Sequence, residues 1–142
     1  MRRYLEFALL AVMIGGLSLY LLRALESARA DVEEAVVQAD AAAIRISLME
    51  IATRRALLGG NYPDSDNPMN WLGSPVGHYA GAFDARPAGR SLWYFDNRQR
   101  ELIYLFDDGR QARFRLARNG MVDAGRGAMG GIGLIRLPDR RE

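Results

Sequence analysis

The sequence predicts an α+β fold: a long amino-terminal α-helix, membrane-spanning in its first half, packed on a small antiparallel β-meander of three to four strands. Two observations carry this. An uncharged apolar run, Phe7 to Leu22, leads without proline into an amphipathic stretch that ends near Leu58. Short alternating runs separated by turn residues then follow from Ser91 onward. With 142 residues, about half of them apolar, the chain has room for one core. No cysteine is present, which excludes a disulfide framework and cysteine-bound zinc, and the single histidine, His78, excludes a site built from several. All 19 basic residues are arginine.

Charge divides the chain. Residues 1–23 carry a net +2, residues 24–85 a net −5 and residues 86–142 a net +5. Segments of such different balance predict a transmembrane half-helix over 1–23, an amphipathic half-helix over 24–60, a loop region over 61–90 and a sheet domain over 91–142.

The first segment reads FALLAVMIGGLSLYLL from Phe7 to Leu22. With Tyr4 and Leu5 it approaches the ~20 residues that span a bilayer, interrupted only by Glu6. Arg2, Arg3 and the free amine precede it, whereas four acids follow soon after Arg23. That bias places the amino end in the cytoplasm and the remainder across the membrane. A cleaved secretory signal is the alternative, with Ser27, Ala28 and Ala30 as its small residues.

Beyond the apolar run, Val37, Ala41, Ile44, Leu48, Ile51 and Leu58 recur at helical spacing, interrupted by Arg55. Gly59-Gly60 and Pro63 then stop the helix. The whole is about fifty-five residues, on the order of 80 Å. The stripe suits packing against the chain's own downstream sheet; coiled-coil pairing is the other use of such a stripe.

Asn61 to Gly89 holds four of the five prolines and is read as loop, packed down by Tyr62, Trp71, Tyr79 and Phe83. Strands are expected over Ser91–Asp96, Glu101–Phe106, Gln111–Ala117 and Ile132–Leu137, with turns at Asp107-Asp108-Gly109 and Asn119-Gly120. In the third strand Ala112, Phe114 and Leu116 face one side, and Arg113 and Arg115 the other.

Tyr4-Leu5-Glu6-Phe7-Ala8-Leu9-Leu10 resembles the amino-terminal motif of type IV pilins and pseudopilins, in which a glutamate sits near the start of the apolar helix. The half-embedded helix laid on a meander is similar to the architecture of that family. Asn67-Pro68-Met69-Asn70-Trp71-Leu72, Tyr79-Ala80-Gly81, Leu92-Trp93-Tyr94-Phe95-Asp96 and Leu102-Ile103-Tyr104 resemble pilin-like proteins of mannose-sensitive haemagglutinin-type pilus clusters. The resemblance implies a component of a type IV pilus or type II secretion filament, held in the bacterial inner membrane with its carboxy-terminal domain periplasmic. Its partners would be other pilin or pseudopilin subunits and inner-membrane assembly proteins. It further implies that Glu6, with Arg2 and Arg3 beside it, contacts a neighbouring subunit; pairing of Glu6 with Arg2 or Arg3 at the membrane interface is the plainer reading. Pilins carry a leader ending in glycine, and no glycine precedes Glu6. The resemblance therefore implies either a different start or a chain that keeps its amino end.

Three further segments have the composition of a site. Asp64, Asp66 and Asn67 bring oxygens together in a loop, as calcium requires, but without EF-hand spacing; a solvated turn is the better reading. Arg98, Arg100, Arg110, Arg113, Arg115 and Arg118 gather around one hairpin near Trp93, Tyr94 and Tyr104, a composition suited to nucleic acid or another anion, or to a solvated face. Gly125 to Gly133 is glycine-rich but opens no helix after a strand. No Gly-x-Ser-x-Gly, P-loop or dinucleotide motif occurs, so no enzyme, cofactor or small-molecule substrate is expected. An adhesive or DNA-binding minor pilin, using the arginine-rich hairpin, is the second function expected.

Overall fold

The computed structural model describes residues 2–118 and 132–140. They form one helix, α1 (Arg2–Leu58), a short 3-10 turn (Pro68–Asn70) and five strands: β1 (Tyr79–Phe83), β2 (Leu92–Asp96), β3 (Glu101–Leu105), β4 (Gln111–Arg118) and β5 (Ile132–Arg140). The expected α+β class is found, a long amino-terminal helix with a mostly antiparallel sheet. The chain divides into two compact units, Met1–Ala35 and Val36–Glu142. The Asn119-Gly120 turn and all but the end of the glycine-rich stretch lie outside the described residues.

The first unit is helix alone. Alanine, leucine and the absence of proline favour it. The large apolar side chains from Tyr4 to Leu22 are all more than half exposed, so the segment is apolar around its whole circumference. α1 is thus long and apolar enough to cross a membrane. Ser18 donates to the Ile14 carbonyl at 2.8 Å, which satisfies its hydroxyl within the helix.

In the second unit α1 supplies one layer and the sheet the other. Val37, Ala41, Ile44, Leu48 and Ala52, at steps of three and four, are buried. They join Trp93, Leu102, Tyr104, Phe114, Leu116 and Leu134 in one apolar cluster. The sheet-facing stripe is therefore found, with two changes. Ile51 is only partly buried, and Leu58 is 81% exposed. Arg55 takes the next position of the stripe, and Gly59 closes the helix by donating to the Arg55 carbonyl at 2.9 Å. Leu58 comes too late to reach the core.

Trp93 is the centre of that core. Its ring is fully buried, with Tyr104 at 5.1 Å and Phe114 at 5.5 Å between ring centroids. Its indole N–H donates to Asp40 of α1 at 2.9 Å. At the other side of the sheet Arg45 Nε donates to the Leu134 carbonyl at 3.0 Å. Polar side chains flanking the apolar stripe thus fix the helix to β2 and β5.

The strand order is β1-β2-β3-β4-β5. β2 to β5 form the expected antiparallel meander, with Trp93 opposite Tyr104 and Leu102 opposite Phe114. Gly109, at φ 86°, makes the tight turn between β3 and β4. β5 pairs with β4 as far as Arg140, beyond the expected Leu137.

β1 corrects the reading of 61–89 as loop. Tyr79-Ala80-Gly81-Ala82-Phe83 is a strand parallel to β2, with Tyr79 opposite Trp93 and Phe83 opposite Asp96. Its small residues, glycine and internal bulge give no alternation to detect. The strand exists because β2 offers it a pairing edge, which no local signal reports. The preceding segment is packed as expected: Tyr62 stacks on Trp71 at 5.7 Å. Asn67 accepts from Met69 N at 3.0 Å, and its amide donates to the Tyr79 hydroxyl at 2.8 Å.

Burial pushes the Tyr79 phenol above its ordinary pKa of 10.0, and the Asn67 hydrogen bond only partly offsets it. An acid whose folded pKa is raised stabilises the fold below its unfolded pKa and loses that contribution as pH rises through the folded value. Tyr79→Phe should therefore flatten the alkaline limb of thermal stability above pH 10 and leave the curve's shape at pH 6–9 unchanged, as read by circular dichroism melting.

Candidate interaction surfaces

The arginine-rich hairpin is organised around one buried acid. Glu101 begins β3 and is 1% exposed. Leu102 faces the helix-side core, so Glu101 points to the opposite face with Ile103 and Leu105. Arg113 and Arg115 lie on that face of β4, where the register predicted them. Arg113 grips the carboxylate with two hydrogen bonds, at 2.7 and 2.9 Å, and Arg115 adds a third at 2.7 Å. One carboxylate between two guanidiniums leaves the trio with a single positive charge, and Arg113 is largely withdrawn from water.

The other arginines are also engaged. Arg110 pairs with Asp108 at 2.7 Å and lies over the Phe106 ring at 4.3 Å. Arg100 and Arg118 both reach Asp66, at 3.3 and 3.4 Å, and Arg118 donates to the Ser65 carbonyl and lies over Trp71. Arg98 alone of the six makes no side-chain ion pair among the described residues; its backbone N–H donates to Asp96 at 2.8 Å. The hairpin presents far less free positive charge than its composition suggests. Sequence reasoning missed Glu101. Its signal was a lone acid on the strand face that β4 fills with Arg113 and Arg115.

The loop oxygens are used in the same way. Asp66 is held by two arginines, Asn67 caps the 3-10 turn, and Asp64 is exposed. Among the described residues no group of three or more potential metal ligands assembles. His78 is exposed at φ 60°, and its carbonyl accepts from Trp93 N at 2.9 Å as β1 begins. It is a turn residue at the strand entrance.

Arg2, Arg3 and Glu6 are exposed on α1 in the first unit, and Glu6 forms no ion pair with either arginine. Spacings of three and four residues put all three on one side of the helix.

The second unit carries a surface that following a single stripe overlooked. Val36, Ile46, Met49 and Leu57 are exposed, with Ala39 and Ala43 between them. At ~100° per residue Ala39, Ile46 and Leu57 lie roughly half a turn from the stripe of Val37, Ile44 and Leu48, while Val36, Ala43 and Met49 lie nearer to it on the two flanks. In this unit α1 therefore has one apolar face under the sheet and, away from it, an open side on which Ile46, Met49 and Leu57 stand beside Glu50, Thr53 and Arg54. A shallow groove of about 570 Å³ runs along the open face between Ile46 and Leu58. Glu50, Thr53 and Arg54 share its walls with Ile46, Met49 and Leu57.

Removing one member of a buried ion group leaves the others uncompensated, at a cost of ~3–5 kcal/mol. Glu101→Gln should lower denaturant stability by about that amount, whereas Arg98→Ala should change it by less than ~0.5 kcal/mol. No protein-family model, curated protein or solved structure matches the chain.

Proposed function

We propose that the chain is a membrane-anchored, pilin-like component acting in assembly of a type IV pilus or a type II secretion pseudopilus. The observation that carries the reading is α1 itself. Its first segment is apolar all round, and in the second unit it keeps Ile46, Met49 and Leu57 exposed on a side its own sheet does not cover. A helix of 57 residues built in this way has more apolar surface than one domain uses. Bundled helices of neighbouring subunits would cover it, with the lipid bilayer around the first segment.

In this reading the protein crosses the bacterial inner membrane once. The amino end is cytoplasmic, where Arg2 and Arg3 lie, and the second unit is periplasmic. Glu6, a carboxylate at the edge of an apolar span, is the residue to engage a neighbouring subunit or an assembly protein. The role is architectural and needs no chemistry. The alternative of a filament subunit that binds DNA through the hairpin draws less support, because Arg100, Arg110, Arg113, Arg115 and Arg118 already hold carboxylates.

Cells sheared to remove surface filaments should retain the full-length protein in the inner-membrane fraction. Ile46→Asp, on the open face, should leave the protein's level and melting temperature unchanged and reduce surface filaments or secreted product about tenfold or more, since a buried unpaired carboxylate costs several kcal/mol at a packed contact. Normal filaments and secretion in that variant would count against the reading.

A further inference from the structure

A second cavity, of about 590 Å³, lies between the last turns of α1 and residues 63–74. Ile51, Pro63 and Leu72 give it apolar walls, Ser47 and Ser74 give it hydroxyls, and its charges are Glu50, Arg54 and Arg55. Glu50 and Arg54 are bonded to each other at 3.0 Å and are well exposed.

Arg55 is different. It follows Ala52 by three residues, so it stands on the sheet-facing side of α1, where an aliphatic side chain would continue the buried stripe. It is half-buried, and its guanidinium makes no hydrogen bond or ion pair among the described residues. An arginine in a last helical turn commonly binds the terminal carbonyls. Here the Arg55 carbonyl is closed by Gly59 N, and its own side chain turns instead along Gly60. A Cβ at Gly60 would stand 3.2 Å from a terminal nitrogen of Arg55. The glycine pair thus leaves room for the guanidinium as well as ending the helix.

Each nitrogen of this unpaired fork keeps contact with solvent, so beside aliphatic carbon it offers its donors to an acceptor entering the cavity. We infer that this cavity binds an acidic peptide segment, with one carboxylate on Arg55 and small apolar neighbours against Ile51 and Leu72. The lining carries a net charge of only +1, from two arginines and Glu50, which matches a monoanionic carboxylate and disfavours a dianionic phosphate. The volume is that of a site for a few residues rather than a single ion. Ser47 and Ser74 are placed to meet the peptide backbone.

The test uses the full chain in detergent micelles. The probes are acetyl-Ala-Leu-Glu-Leu-Ala-amide, the same peptide with glutamine in place of glutamate, and inorganic phosphate. The readout is the nuclear magnetic resonance signal of the Arg55 Nε–H, with the Trp71 indole N–H as a neighbour. The glutamate peptide should move the Arg55 signal saturably and bind about tenfold or more tightly than the glutamine peptide, the worth of one charge-assisted hydrogen bond. Arg55→Gln should abolish that difference, and Arg54→Gln should change it by less than about threefold. Equal binding of the two peptides, or no movement of the Arg55 signal, would overturn the inference. Phosphate reproducing the shift at equal concentration would overturn the peptide assignment in favour of a free oxyanion. The comparison of the two peptides on the unaltered chain decides the matter even if Arg55→Gln does not fold.

Discussion

The burial of Trp93 beneath α1 is the constraint on which the second unit depends. The sheet has one strongly apolar face, and an uncovered face of Trp93, Phe114 and Leu134 could not remain in water. α1 covers it with a buried stripe that includes two small residues, Ala41 and Ala52. The bond from the indole N–H to Asp40, on one flank of the buried stripe, then restrains the rotation of the helix. Arg45 on the Leu134 carbonyl fixes the same rotation from the far side of the sheet.

Fixing that rotation also decides what is left outside. With Val37, Ile44 and Leu48 turned inward, Val36, Ile46, Met49 and Leu57 must turn outward. Their exposure follows from the packing of the core and not from looseness in the helix. The hairpin shows the reverse relation between composition and surface. Its arginines look like a binding patch in the sequence, yet Glu101, Asp66 and Asp108 neutralise most of them within the fold. Net charge along a chain reports on partners only after the internal pairs are known.

Much of the fold was legible because its signals are local. The apolar run, the glycine pair after Leu58, the Asp107-Asp108-Gly109 turn and the alternation in Gln111 to Ala117 each rest on neighbouring residues. β1 was not legible, since five residues with small side chains become a strand only through pairing with β2. Periodicity alone assigns Leu58 to the core, and Arg55 shows where that periodicity stops describing the contact. Glu101 could have been found by asking what Arg113 and Arg115 face. The open side of α1 could have been found by tracing a second stripe through Val36, Ile46, Met49 and Leu57.

In the proposed assembly the open side of α1 is covered by other helices in the cell. The chain has no native cysteine, so single cysteines can be placed at Val36, Ile46, Met49 and Leu57, and at the exposed loop positions Asp64 and Gln99. Labelling with a membrane-impermeant maleimide, applied to cells with permeabilised outer membranes, then reads the cover directly. Protection at the four helix positions with labelling at Asp64 and Gln99 is the predicted result, and deletion of the pilus or secretion genes should remove the protection. Uniform labelling of all six positions in cells with those genes intact would contradict the claim.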